Sequence, residues 1–224
     1  MKSFKGYIFD IDGTLASTNE LIFKSFNHIT QKYLSRLYTD KEIISLFGPP
    51  EDVILKQLFT ENLEEASRDY YTFYQENHKN YTSSFSGMDY IISSIKESER
   101  TLGIFTGKGR RTSEITLREL ALLNYFDLIV TGDDVKNHKP HPEGIINFLE
   151  KFNFNPPEVL MIGDSPSDIS AAKEAGVYSA ALLWDCYAKD EIRKFNADYY
   201  FDTLNEFEEF ILETLRYYSD PAAP

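Results

Sequence analysis

The 224-residue chain carries 36 Asp and Glu against 23 Lys and Arg, for a formal net charge of −13. That balance argues against nucleic acid and anionic membrane surfaces, which need clustered cations, but it admits small anionic substrates where a local cation reverses the field in a cleft. The length exceeds one average domain, the 42% hydrophobic content is enough for a packed core, and the lone cysteine, Cys186, excludes an intramolecular disulfide and points to a reducing compartment.

An apolar run from Gly6 to Phe9 ends in Asp10-Ile11-Asp12-Gly13-Thr14-Leu15. This reads as a strand that delivers two acids to its carboxyl end, with Gly13 allowing a sharp turn. Two anions so close repel, so a cation shared between Asp10 and Asp12 is the simplest account, and magnesium suits hard oxygen ligands. No long apolar segment precedes Asp10 and no stretch reaches membrane-spanning length, so neither a leader nor a span is expected and the protein reads as cytoplasmic.

Beyond Leu15 the period becomes helical. Ile22, Phe26, Ile29 and Tyr33 make one apolar face, and Thr39 with Glu42 makes a capping box for a short helix through Leu46. Gly48-Pro49-Pro50 breaks the chain before a helix reaching Phe59, and Leu63, Ala66, Tyr70, Phe73 and Asn77 mark a longer one. Roughly seventy residues therefore pass to Ser86 with helices and no evident strand, which suggests a separate helical module.

From Gly87 helix and strand alternate. Met88, Ile91, Ile92 and Ile95 form a helical face, and strands are expected at Leu102 to Phe105, Leu128 to Thr131, Val159 to Ile162, Ala180 to Leu183 and Tyr199 to Phe201. This predicts an α/β fold in which a parallel sheet is flanked by helices and ligands bind at the strands' carboxyl ends. Thr203 and Glu206 cap a final helix, and Pro221 to Pro224 reads as a frayed tail.

The strand ends carry the remaining chemistry. Thr106-Gly107 offers a hydroxyl and free amides to phosphoryl oxygens. Lys139 lies in His138-Lys139-Pro140-His141-Pro142, a restricted loop suited to a phosphate clamp and a plausible place for a cis Lys139-Pro140 peptide. Gly163-Asp164 ends a further strand, and Asp168 follows one helical turn later. A P-loop reading of Gly107-Lys108 fails, because its first glycine would fall at Leu102 and Gly109 replaces the required hydroxyl. A zinc site at His138 and His141 lacks a third suitably spaced ligand; His141 reads as a helix cap.

Taken in order, the acid pair, Thr106, Lys139 and Gly163-Asp164 through Asp168-Ile169 to Ala172, Ala175 and Gly176 resemble the haloacid dehalogenase superfamily over nearly the whole chain. The resemblance implies a Rossmann-like core, 1–15 and 87–224, with an all-helical cap at 16–86 joined by linkers near Ala16 to Asn19 and Phe85 to Gly87. It implies a magnesium-dependent phosphatase that acts on a small phosphorylated substrate through an aspartyl-phosphate. Asp10 is then the nucleophile, and Asp12 the general acid and base with its backbone carbonyl on the metal. Asp164 is the further metal ligand, and Asp168 supports the site through water or Lys139.

Asp12 also separates this chain from relatives that dehalogenate or cleave phosphonates. A sugar-phosphate mutase uses the same core and stays open, as does a non-catalytic phospho-ligand binding protein. The phosphoglycolate phosphatase-like and pyrophosphatase-like groups resemble it most, the latter through Thr18-Asn19-Glu20-Leu21, His28 and Thr131 through Pro140. For pyrophosphate, Lys24, His28 or Lys56 would have to converge on the leaving phosphate, although their plainer reading is solvent exposure. The loop Phe47-Gly48-Pro49-Pro50-Glu51 would descend toward the phosphate site and select the substrate.

Overall fold

The computed structural model describes residues 2–186 and 189–216; the expected tail at Pro221 to Pro224 lies outside them. Six strands form one parallel sheet: β1 (Gly6–Phe9), β4 (Thr101–Phe105), β5 (Leu128–Val130), β6 (Val159–Gly163), β7 (Tyr178–Leu182) and β8 (Tyr199–Phe201), in the order β5-β4-β1-β6-β7-β8. Central strands covered on both faces need near-continuous apolar sequence, and β1 and β6 have it. Successive side chains alternate faces. Tyr7 and Phe9 join a cluster with α5 (Met88–Glu97) and α10 (Leu204–Arg216), whereas Ile8 joins Phe105, Phe148 and Ala171 beneath α7 (Glu143–Phe152) and α8 (Pro166–Ala175).

Two further strands, β2 (Ala16–Ser17) and β3 (Ser83–Ser84), pair antiparallel and lie inside the stretch expected to be wholly helical. Two-residue strands are too short for any periodic signal. Between them run α1 (Asn19–Leu34), α2 (Asp40–Ile44), α3 (Glu51–Leu58) and α4 (Leu63–Tyr81). These four helices share a hydrophobic cluster that includes Ile22, Phe26, Ile54 and Tyr70, joined by Ile115 from α6 (Arg110–Glu119). On α4 the buried stripe is Ala66, Tyr70, Tyr71, Tyr74 and His78, one position away from the expected Phe73 and Asn77. The three tyrosines and the histidine bury ring area that aliphatic counting underweights. A short helix, α9 (Lys189–Ile192), follows β7.

Thr39 and Glu42 form the expected capping box, Thr203 and Glu206 exchange hydrogen bonds at the start of α10, and the His141 ring accepts the Glu143 N–H at 3.2 Å. No described helix is long and apolar enough to cross a membrane.

Candidate active site

The parallel order brings the ends of β1, β4 and β6 together, because β1 lies between the other two. Asp10, Asp12, Thr106, Gly107, Lys139 and Asp164 consequently line one cleft of about 250 Å³. Gly48, Pro49 and Glu51 reach the same cleft from the loop before α3. Pro50 is buried, and a Cβ on Gly132 would lie 3.2 Å from its side chain.

Asp10 follows β1 directly, and its N–H donates to the Ile162 carbonyl at 2.9 Å, which locks the acid to β6. One carboxylate oxygen sits 3.1 Å from Lys139 Nζ, and the other is buried with no hydrogen-bond partner. Lys139 also donates to Asp168 at 2.6 Å, so a single ammonium bridges two carboxylates, and its peptide bond to Pro140 is cis. Burial alone would lower the Lys139 pKa, but Asp10 and Asp168 outweigh it and hold the amine protonated. Burial pushes Asp168 upward, yet it accepts from Lys139 and, through its other oxygen, from Ser165 N–H and hydroxyl, and we read it as a carboxylate.

Oxygens of Asp10, Asp164 and Asp168 lie within 4.8 Å of one another. Partial burial, followed by the fields of Asp10 and Asp168, pushes Asp164 well above the ordinary carboxylate range. Three acids this close, one with a partnerless oxygen, fit a hard divalent cation such as magnesium. Gly13 lets Asp164 approach: it adopts φ +74°, and a Cβ there would lie 2.3 Å from the carboxylate.

The Asp12 carboxylate is not in that cluster. It accepts from the Thr18 hydroxyl and lies 3.2 Å from Lys108 Nζ. The carboxylates of Asp10 and Asp12 therefore do not face one another: the acids grouped with Asp10 are Asp164 and Asp168, while the Asp12 side chain turns to Lys108. In the sequence Lys108 stands out only as the lysine of a failed P-loop pattern; the fold gives it other surroundings. Its side chain, 1% exposed, lies between Asp12 and Glu51, 3.6 Å from the latter, and over the Tyr74 ring. Burial opposes its charge, but Asp12, Tyr74 and Glu51 raise its pKa.

Glu51 closes the loop expected to descend toward the phosphate site, and it lines the cleft. Its carboxylate accepts from Gly109 N–H and from the Thr112 hydroxyl, both at 2.6 Å. Gly109 is the N-cap of α6 and has no side chain to cap it, so Glu51 supplies the acceptor from another element. A glycine at an N-cap preceded by lysine was the available signal.

The three cap cations do not converge on the cleft. Lys24 pairs with Glu20 and lies over the Tyr81 ring, His28 stacks on Phe73, and Lys56 lines a separate depression with Asp52, Glu64 and Arg111. Helical spacing makes Lys24 and His28 neighbours, but it points them away from the core.

A family model for haloacid dehalogenase-like hydrolases matches residues 7–182. A pyrophosphatase PpaX from Bacillus mycoides is 32% identical over 199 residues, covering 89% of this chain and 93% of the relative. Among solved structures, a predicted phosphoglycolate phosphatase from Haemophilus somnus superposes with a TM-score of 0.83 at 23% identity, over 94% of this chain and 99% of that one. A subfamily IA hydrolase from Geobacter sulfurreducens gives 0.67 at 24%, over 93% and 96%. With acids, threonine and lysine gathered at adjacent strand ends and the match running through all of them, the chain belongs to the haloacid dehalogenase-like hydrolase family.

Proposed function

We propose that this chain is a magnesium-dependent phosphatase that hydrolyses a small phosphate monoester or pyrophosphate through an aspartyl-phosphate on Asp10. The observation that carries the reading is the buried, partnerless oxygen of Asp10 in a cleft that also presents Lys139 and the Asp12 carboxylate. Residues 16–86 act as a cap on a core of 1–15 and 87–224, a division supported by the separate cluster of α1 to α4 and by the β2–β3 ribbon at its base.

Asp10 and Asp164 would hold magnesium, with the Asp12 backbone carbonyl as the family resemblance implies. Asp168 commits its oxygens to Lys139 and Ser165, which suits positioning better than ligation. When bound, magnesium supplies positive charge against the phosphoryl oxygens. An Asp10 carboxylate oxygen attacks phosphorus, and Lys139 offsets the charge that gathers there. The Thr106 hydroxyl and Gly107 N–H donate to the phosphoryl oxygens. In its protonated form Asp12 gives its proton to the departing oxygen; the carboxylate so formed takes one from the water that attacks the aspartyl-phosphate, which restores that form and releases inorganic phosphate and free Asp10.

Incubation with p-nitrophenyl phosphate, then with small phosphomonoesters and pyrophosphate, should release phosphate with magnesium and not with chelator. An isomerised sugar phosphate without net phosphate release would favour the mutase, and binding without turnover the non-catalytic reading.

A further inference from the structure

We infer that the preferred substrate is a small phosphate monoester whose leaving group is uncharged and has an apolar face, an inference that rests on the phosphatase reading above. The cleft has two unlike linings. The strand ends contribute acids, Thr106 and Lys139, whereas α1, α2, α3 and the intervening loop contribute Ile22, Phe26, Ile44, Phe47 and Ile54. A phosphoryl group fits the first lining, so the group it leaves with meets the second.

Among the described residues lining the cleft, the ionic groups beyond the strand-end acids and Lys139 are Lys108 and Glu51. Lys108 is enclosed, and its one ammonium already faces two carboxylates, Asp12 at 3.2 Å and Glu51 at 3.6 Å. It has no charge to spare for a second anion. Lys24, His28 and Lys56, which would have supplied one, are engaged elsewhere. A leaving group bearing a carboxylate or a second phosphate would be stripped of water beside Glu51 with nothing to compensate it. An alkyl or hydroxyalkyl group instead removes apolar surface from water, and Asn19, also on the wall, can bond a hydroxyl. The cleft of about 250 Å³ also has to hold the phosphoryl group, which suits a small leaving group.

The test is kcat/KM with magnesium for propyl phosphate, 2-hydroxyethyl phosphate, phosphoglycolate and pyrophosphate. The two neutral esters should exceed both anionic substrates by about tenfold or more. Phe47→Arg alters a wall residue that is 42% exposed, so folding is spared, and should raise phosphoglycolate relative to propyl phosphate by about tenfold. Equal or faster turnover of phosphoglycolate or pyrophosphate by the natural chain, or no change of preference in Phe47→Arg, overturns the inference while leaving the phosphatase reading intact. No turnover of these or of p-nitrophenyl phosphate overturns both.

Discussion

Asp10 and Asp12 are two residues apart and have opposite surroundings, and that contrast separates their chemistry. Asp10 keeps one oxygen on Lys139 and one without a partner, whereas both oxygens of Asp12 lie within 3.3 Å of Lys108 Nζ. Asp10→Asn preserves volume and removes the proposed nucleophile, so turnover should vanish while circular dichroism is unchanged; appreciable residual phosphate release would remove Asp10 from that role. Asp12→Asn should slow alkyl phosphates by about a hundredfold or more and p-nitrophenyl phosphate much less, because only a poor leaving group needs the proton. Equal losses on the two esters would count against an acid role.

Glu51 ties α3 to the start of α6 and, through Lys108, to Asp12. Glu51→Ala strands the Gly109 N–H and leaves the Thr112 hydroxyl only the Gly109 carbonyl as acceptor, which should cost about 1–3 kcal/mol in a urea titration. It also frees Lys108, so alkyl phosphates should lose more kcat than p-nitrophenyl phosphate. A stability loss with uniform kinetics would restrict Glu51 to capping. Further along the same helical layer, His78 on α4 is buried and 3.3 Å from Thr116 on α6. Burial lowers its pKa below the unfolded value, so its contribution is fully present above the ordinary histidine range and is lost as pH falls through the folded pKa. The urea midpoint should therefore drop on acidification from pH 7, and less steeply in His78→Gln; parallel curves would show that His78 does not carry the effect.

At the scale of the whole molecule, the clustered acids make the metal-free protein pH-sensitive in the other direction. Asp164 has a raised folded pKa, so the stability linked to it is present below the unfolded value and is lost as pH rises through the folded one. Magnesium at a hundred times its Kd should add about 2.7 kcal/mol. For a chain of this size that corresponds to a rise in Tm of about 5–10 °C. Chelation should reverse the rise, and Asp164→Asn should both stabilise the metal-free chain near neutral pH and shrink the magnesium effect. An undiminished shift in Asp164→Asn would place the cation elsewhere.

Much of this fold was legible because the signals are local. Buried parallel strands need apolar runs, capping boxes span three residues, and the acids stand where the runs end, so Asp10, Thr106, Lys139 and Asp164 and the six-stranded α/β core could be read in order. The β2–β3 ribbon, the continuation of the α4 stripe through Tyr71, Tyr74 and His78, and the surroundings of Lys108 and Glu51 could not. Lys108 lies 96 residues from Asp12, and Glu51 lies 58 from Gly109. A Coulomb interaction or hydrogen bond depends on separation in space, which no spacing along the chain supplies. Sequence alone determined which residues stand at the strand ends. The tertiary structure decided that Asp168 and Asp164 join Asp10, that Asp12 turns to Lys108, and that Lys24, His28 and Lys56 leave the cleft wall apolar, because only the packed elements set which charges meet.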